Sequence, residues 1–339
     1  MRLRLLAKTV AAETLCRTGA DRLWSGASAP RTVVLGYHQV VEDVRSAGPS
    51  IPSMVISAAM LERQLDWVGG RFHFVSLDEL GGRLESGVVE RPLAAVTFDD
   101  GYRDVYEHAF PLLQRKGIPG AVFVVTDVVG TSRLMRHDRL YHLAGRIGAG
   151  SGQPRDAYGS MRALLESTPS DGLEELLQAK APAAGWEDER FPELRALDWD
   201  MVRTMHRAGF TIGSHTSTHA LLTLESRDRV RQELSASRKR LEQELGAPVW
   251  HFAYPDGRFD DVVVDSVAEA GYRFAYTSCR HRDRRRPHLT VPRRQLWENS
   301  CRDARGRFSP SLMRGMVHGV FDWFARCRPD HRAAAVPRS

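Results

Sequence analysis

Cysteine is scarce. The 339 residues hold four (Cys16, Cys279, Cys301 and Cys327), with no CxxC spacing and no density of a disulfide scaffold. A core of this size needs no covalent staples, and the cysteines give little sign of an oxidising compartment. No run of about 18 apolar residues occurs, so no spanning helix is expected. No repeat of fixed period is present, which excludes solenoid and propeller arrays. A clean signal-peptide cleavage site is also missing: Met1–Ala7 begins like a signal peptide, but Lys8 and Glu13 interrupt the apolar region. The expected location is therefore cytoplasmic or peripheral to a membrane.

Charge is present but uneven. The net charge is +6, yet Arg280 to Ser339 alone carries fifteen arginines, no lysine and five acids, a net +10 against −4 for the remainder. An Arg-rich tail can bind nucleic acid or anionic lipid. No nucleic-acid motif and no interleaved aromatic pattern accompanies it, so a solvated surface is preferred and no nucleic-acid partner is expected. Peripheral membrane contact through the N-terminal helix or the basic tail stays open.

Hydrophobic content of 42% and charged content of 27% suit a soluble enzyme, and the length fits one α/β barrel with an insertion. Residues 1–30 read as a helical leader. Thr32–Tyr37 reads as a buried strand ending at His38. Ser57 caps a helix over 57–69, residues 72–75 suggest a strand, and Ser76 with Glu79 makes a capping box. Ala94–Phe98 is a third strand, followed by a helix over 103–116 that Pro111 kinks and Gly117 stops. A strand runs from Gly120 to Thr126. Gly/Ser/Pro clusters then break the rhythm over about 131–196, a partly helical insertion over one face. Beyond it come a helix opened by Asp198, the strand Phe210–Gly213, and a long amphipathic helix over 226–245 ended by Gly246. The strand Val249–Tyr254, a helix over 260–270, and strands at 273–277 and 289–291 complete the series. Alternating strands and helices imply a mainly parallel sheet over residues 31–300, either open or closed into an irregular (β/α) barrel, with a basic tail over 301–339.

The chemistry concentrates where these strands end. Asp99 and Asp100 follow a buried apolar run, and Gly101 lets the chain turn sharply. Two carboxylates there are costly to desolvate unless something cationic neutralises them. Ser214-His215-Thr216-Ser217-Thr218-His219 offers ligands, its two imidazoles spaced to share one face of a helical turn. In α/β barrels functional residues come from the C-terminal ends of several strands. His38, Asp99/Asp100, His215/His219 and the Tyr254-Pro255 turn all meet that condition. Two histidines and a carboxylate with an open position suit a hydrolytic metal site, with a spare carboxylate as base and a further histidine as acid. Taken singly, each piece has a bland alternative: Asp-Asp-Gly is often only a turn, and His-x-x-x-His occurs by chance on solvated helices. A glycosidase pair needs carboxyls about 5–9.5 Å apart across a sugar, which adjacent residues do not provide.

Thr97-Phe98-Asp99-Asp100-Gly101 and Ser214-His215-Thr216-Ser217-Thr218-His219 resemble the first two signature motifs of the polysaccharide deacetylases (NodB-homology, carbohydrate esterase family 4). The resemblance covers roughly 32–130 and 197–295 and includes His251 to Gly257. It implies a NodB-type barrel in which Asp100, His215 and His219 bind a divalent metal, zinc first, with cobalt or nickel as alternatives. Asp99 would be the base. The Leu-x-x-His motif that supplies the acid in many members is missing. Gly36-Tyr37-His38-Gln39-Val40 instead resembles the Tyr-His segment of the subgroup with exopolysaccharide poly-N-acetylglucosamine deacetylases, which makes His38 the candidate acid. Asp256 stands where many members carry an aromatic after the proline of Pro255. Tyr254, Pro255 and Arg293 are assigned to substrate contact, with Arg293 also a candidate to steady the base. A backbone N–H near Tyr254 is expected to stabilise the oxyanion.

The function expected from these residues is metal-dependent removal of N-acetyl groups from an N-acetylated sugar or polysaccharide. A hydrolase of small non-sugar amides on the same fold, or a non-catalytic glycan-binding module, are the rivals. Chelator-sensitive turnover separates the enzymes from the binding module, and acetate release across sugar and non-sugar substrates separates the two enzymes.

Overall fold

In the computed structural model the described residues are 31–48, 50–149, 157–180, 187–279 and 282–320, with Glu13, Thr14 and Thr18. The expected leader helix, apart from those three residues, and residues 321–339 of the basic tail lie outside them.

Strands form where apolar runs are dense in β-branched residues. They are β1 (Thr32–Tyr37), β2 (Gln39–Val41), β3 (Val55–Ser57), β4 (His73–Phe74), β5 (Leu93–Phe98), β6 (Gly120–Val124), β7 (Thr211–Ser214), β8 (His251–Ala253), β9 (Phe274–Thr277), β10 (Val291–Pro292) and β11 (Arg294–Gln295). All pairings are parallel, in the order β10-β9-β8-β7-β6-β5-β1-β11, with β4 beside β5; β2 and β3 make a separate pair. The two ends of this sheet, β10 and β11, are separated in the chain by Arg293 alone. The sheet is therefore nearly closed into the expected barrel, and Arg293 sits at the seam.

Alternation along the strands divides the core. Ala94, Val96 and Phe98 join a large cluster with the surrounding helices, while Leu93 and Ala95 join a smaller one with Val34, Phe123 and Tyr276. The fully buried Phe98, Phe123, Tyr37 and Tyr276 anchor these layers, each such side chain contributing about 1.5–3 kcal/mol.

The helices are α1 (Ala58–Gly69), α2 (Leu77–Ser86), α3 (Phe110–Lys116), α4 (Arg136–Ala149), α5 (Ala157–Ser167), α6 (Ser170–Lys180), α7 (Trp199–Arg207), α8 (Arg227–Leu245), α9 (Asp261–Glu269) and α10 (Pro310–Val317). Ser57, Ser76 and Asp198 cap their helices as the sequence predicts, accepting from Met60, Glu79 and Met201 N–H. Between β5 and α3 the chain differs from expectation. Residues 103–116 are helical throughout and end at Gly117 as expected, but the irregularity is a π-helical turn over Val105–Ala109 rather than a kink at Pro111. Helices α4, α5 and α6 fall in the insertion and carry their own apolar cluster, including Leu140, Met161, Leu173 and Leu177. No helix among the described residues is long and apolar enough to cross a membrane.

Candidate active site

Register decides which side chains meet. Tyr37 pairs with Phe98, Phe98 with Val122, Val124 with Ser214, Ser214 with Phe252, and Thr277 with Pro292. The residues that follow these strands, His38, Asp99, Asp100, His215, Tyr254 and Arg293, therefore come out at one rim. A cavity of about 290 Å³ opens there, lined by His38, Asp99, Asp100, His215 and His219 among others. The non-glycine residues with left-handed backbone are Asp100 (φ 68°), Thr216 (69°), His219 (60°) and Asp256 (54°) among the described residues, all lying at this rim. Such strain concentrates where a site over-determines the chain.

Asp99 keeps the alternation of Ala95 and Thr97. Arg293, 0% exposed at the seam, grips it with Nη1 to Oδ1 at 2.6 Å and Nη2 to Oδ2 at 2.7 Å. Nη1 also donates to Thr97 Oγ1, and Gln295 Nε2 reaches Asp99 Oδ2 at 3.4 Å. Burial by itself would raise the Asp99 pKa, but Arg293, with His215 and His38, outweighs it and holds the carboxyl below its usual range. His38 Nε2 lies 3.9 Å from Asp99 Oδ2, and the ring is partly exposed to the cavity.

Asp100 is built differently. Its neighbour Gly101, at φ 72°, turns the chain where a Cβ would press on Val124. Both Asp100 oxygens are buried and accept no hydrogen bond. Three imidazole nitrogens face them: Nε2 of His219 and of His215 at 3.3 and 3.4 Å from Oδ1, and Nε2 of His137 at 3.7 Å from Oδ2. Burial disfavours the charged form of Asp100, but the imidazoles around it, His137 first and His219 next, outweigh that penalty and hold its pKa well below the usual carboxylate range. Burial likewise pushes His215 down to about 4 and His137 down to about 3, so both rings are neutral near pH 7 and keep a lone pair. His215 Nδ1 donates to Ala253 O at 2.7 Å, which turns its Nε2 lone pair towards Asp100. Ligands about 2.0–2.1 Å from a tetrahedral zinc ion stand roughly 3.3–3.4 Å apart, the spacing of His219 and His215 from Asp100 Oδ1, while His137 stands farther off. The residues present fit a divalent cation.

Several placements differ from the sequence expectations. His215 and His219 do not share a helical turn; an irregular loop with left-handed Thr216 and His219 brings them together. Among the described residues the side chains whose ligand atoms all lie within 4.8 Å of one another are Asp100, His137 and His219, a group that does not include the expected His215. His137, on α4 of the insertion, was missed because a lone histidine in a segment of broken periodicity carries no spacing signal. Its Nε2 lies 2.7 Å from Tyr102 Oη, which donates to Asp138 Oδ2 at 2.8 Å. Arg293 sits behind Asp99 rather than on the cavity wall. Tyr254 lines the cavity as expected, though its hydroxyl is turned inwards and donates to Leu289 O, and Pro255 is buried beside it. The Tyr254 N–H donates to Tyr276 O, so that group is not free for an oxyanion. Asp256 pairs with Arg162 of α5 and with Arg258, joining the insertion to the barrel rim.

The protein-family model described as polysaccharide deacetylase matches residues 86–275. A curated relative, the poly-beta-1,6-N-acetyl-D-glucosamine N-deacetylase of Staphylococcus aureus, is 26% identical over 96 residues, which cover 28% of this chain. The chain spans about a third (33%) of the length of that relative. Two solved structures share the fold: Streptococcus pyogenes deacetylase PplD in complex with acetate (TM-score 0.57, 17% identity, 86% of this chain and 99% of that one), and IcaB from Ammonifex degensii (TM-score 0.56, 20% identity, 86% and 98%).

Proposed function

The chain belongs to the polysaccharide deacetylase family, and from that membership we propose that it is a metal-dependent N-deacetylase of an N-acetylated sugar polymer. The observation that carries the metal half is Asp100: a fully buried carboxylate with no hydrogen bond to either oxygen, facing three imidazole nitrogens at 3.3–3.7 Å. Leaving such a charge unpaired would be strongly destabilising. Asp100, His215 and His219 would hold the ion, with His137 beside Asp100 and tied to Tyr102. When bound, a divalent metal, zinc first and cobalt or nickel as alternatives, supplies the Lewis acidity that polarises an amide carbonyl and acidifies water.

The remaining roles belong to the chain. Asp99 takes a proton from the attacking water, and the bidentate Arg293 keeps it ionised and oriented. His38, on the cavity wall beside Asp99, hands a proton to the departing amine. The sugar enters over a wall that the insertion helps to build with Met161 and Leu165. The S. aureus relative makes poly-N-acetylglucosamine the first polymer to try.

The test is acetate release from poly-N-acetylglucosamine, chitooligosaccharides and a panel of non-sugar amides, on metal-loaded and chelator-treated protein. The expected result is release from sugars alone, abolished by chelation and restored by zinc, cobalt or nickel. Release that chelation leaves unchanged would overturn the metal role, and preference for non-sugar amides would overturn the substrate class.

A further inference from the structure

The loop between His215 and His219 is held in a conformation its residues resist. Thr216 sits at φ 69° and His219 at φ 60°, backbone that L-residues disfavour and β-branched threonine most of all. The brace comes from α8. Glu233 is buried, at 1% exposure. Its Oε2 accepts from the backbone N–H of Ser217 and of Thr218, both at 2.9 Å, and its Oε1 accepts from Thr218 Oγ1 at 2.8 Å. Successive N–H groups converging on one oxygen form the concave anion seat that such turns create. Arg229, one turn earlier, places Nη2 at 3.0 Å from Oε1 and compensates the buried charge. One turn later Ser237 Oγ meets Ser214 Oγ at 2.8 Å, and Ser214 Oγ accepts from Thr216 N at 3.3 Å. Positions 229, 233 and 237 share one face of α8, which therefore grips the loop at both ends.

We propose that Glu233 is the positioning residue of the metal loop. Its carboxylate fixes Ser217 and Thr218, and so sets the separation of the His215 and His219 imidazoles before any cation binds. Glu233 does not line the cavity and touches no reacting atom. The proposal rests on the metal-dependent reading above. A loop ordered in advance binds more tightly, because binding no longer includes the entropy of ordering it.

Zinc affinity, measured by competition with a chromogenic chelator on the metal-stripped full chain, tests it. Glu233→Ala should weaken zinc binding about 10- to 100-fold, as loss of partners that orient ligands does. Glu233→Gln keeps an amide oxygen for the Ser217 and Thr218 N–H groups and should stay within about threefold of the unmodified protein. The cobalt-loaded Ala variant should also show a shifted visible absorption band, which general destabilisation would not produce. Unchanged affinity in the Ala variant, or a Gln variant as weak as Ala, would overturn the proposal. If the Ala variant does not fold, Thr218→Val decides: it removes only the hydroxyl contact and should weaken zinc severalfold, and unchanged affinity overturns the assignment. Failure of the unmodified protein to bind zinc, cobalt or nickel would instead refute the metal reading itself, and is seen before any variant is made.

Discussion

Asp99 and Asp100 leave one strand as neighbours and are almost equally buried, yet the two flanks they begin are chemically opposed. Every Asp99 oxygen is filled by a rigid donor, chiefly Arg293 at the barrel seam. The Asp100 oxygens are filled by none and look at imidazole nitrogens. The backbone makes the difference: Asp99 keeps the strand's alternation, while Asp100, at φ 68°, turns away towards the loops. One flank is finished as it stands, and under the proposed reading a cation completes the other. In the proposed mechanism the flanks also need each other, since a base held below the usual carboxylate range takes a proton only from acidified water.

Breaking the Asp99 flank at its proton donor has the largest expected effect. His38→Ala should lower kcat on an N-acetyl amide by about 10²–10⁴-fold while leaving metal content unchanged. On an acetate ester, whose leaving group needs the proton less, the loss should be far smaller. Equal loss on both substrates would reduce His38 to a positioning role, and no loss would remove it from the reaction. Next in size is the seam. Arg293→Met strands a buried carboxylate and should destabilise the fold by about 3–5 kcal/mol in urea unfolding, with metal still bound. Little change in stability would mean that Asp99 is neutral or finds other donors.

A third effect, read as a pH slope rather than as a loss at one pH, sharpens the Asp100 flank. Burial, reinforced by Asp100 and only partly offset by the Tyr102 hydrogen bond, pushes Asp138 from 3.8 up to about 8. The folded protein therefore keeps a proton that the unfolded chain releases near pH 4. Its stability should fall as pH rises from about 4 to 8, by at most about 1.4 kcal/mol per pH unit. Asp138→Asn, measured in metal-stripped protein, should flatten that slope; an unchanged slope would show that Asp138 is ionised in the fold.

Much of this was legible in the sequence because dense apolar runs announce parallel strands. Strand β1 begins and ends where predicted, and β5, β6 and β7 within a residue or two. The Asp-Asp and His-x-x-x-His motifs are contiguous, so their strand-end positions could be read directly. What escaped depends on contacts between distant segments. Strand β11 has two residues, too few for any period, so the seam that aims Arg293 at Asp99 was invisible. The His215–His219 loop depends on Glu233 of α8, sixteen residues on from Ser217, and nothing in the loop's composition announces a left-handed threonine. His137 reaches Asp100 only because α4 packs back over the rim.

Bound metal in Asp99→Asn and Asp100→Asn, assayed side by side after reconstitution and desalting and with acetate release recorded on the same samples, tests the division of labour most directly. Asp99→Asn should hold as much metal as the unmodified protein and lose turnover; Asp100→Asn should lose both. Equal metal in the two variants, or loss of metal from Asp99→Asn alone, would contradict the account.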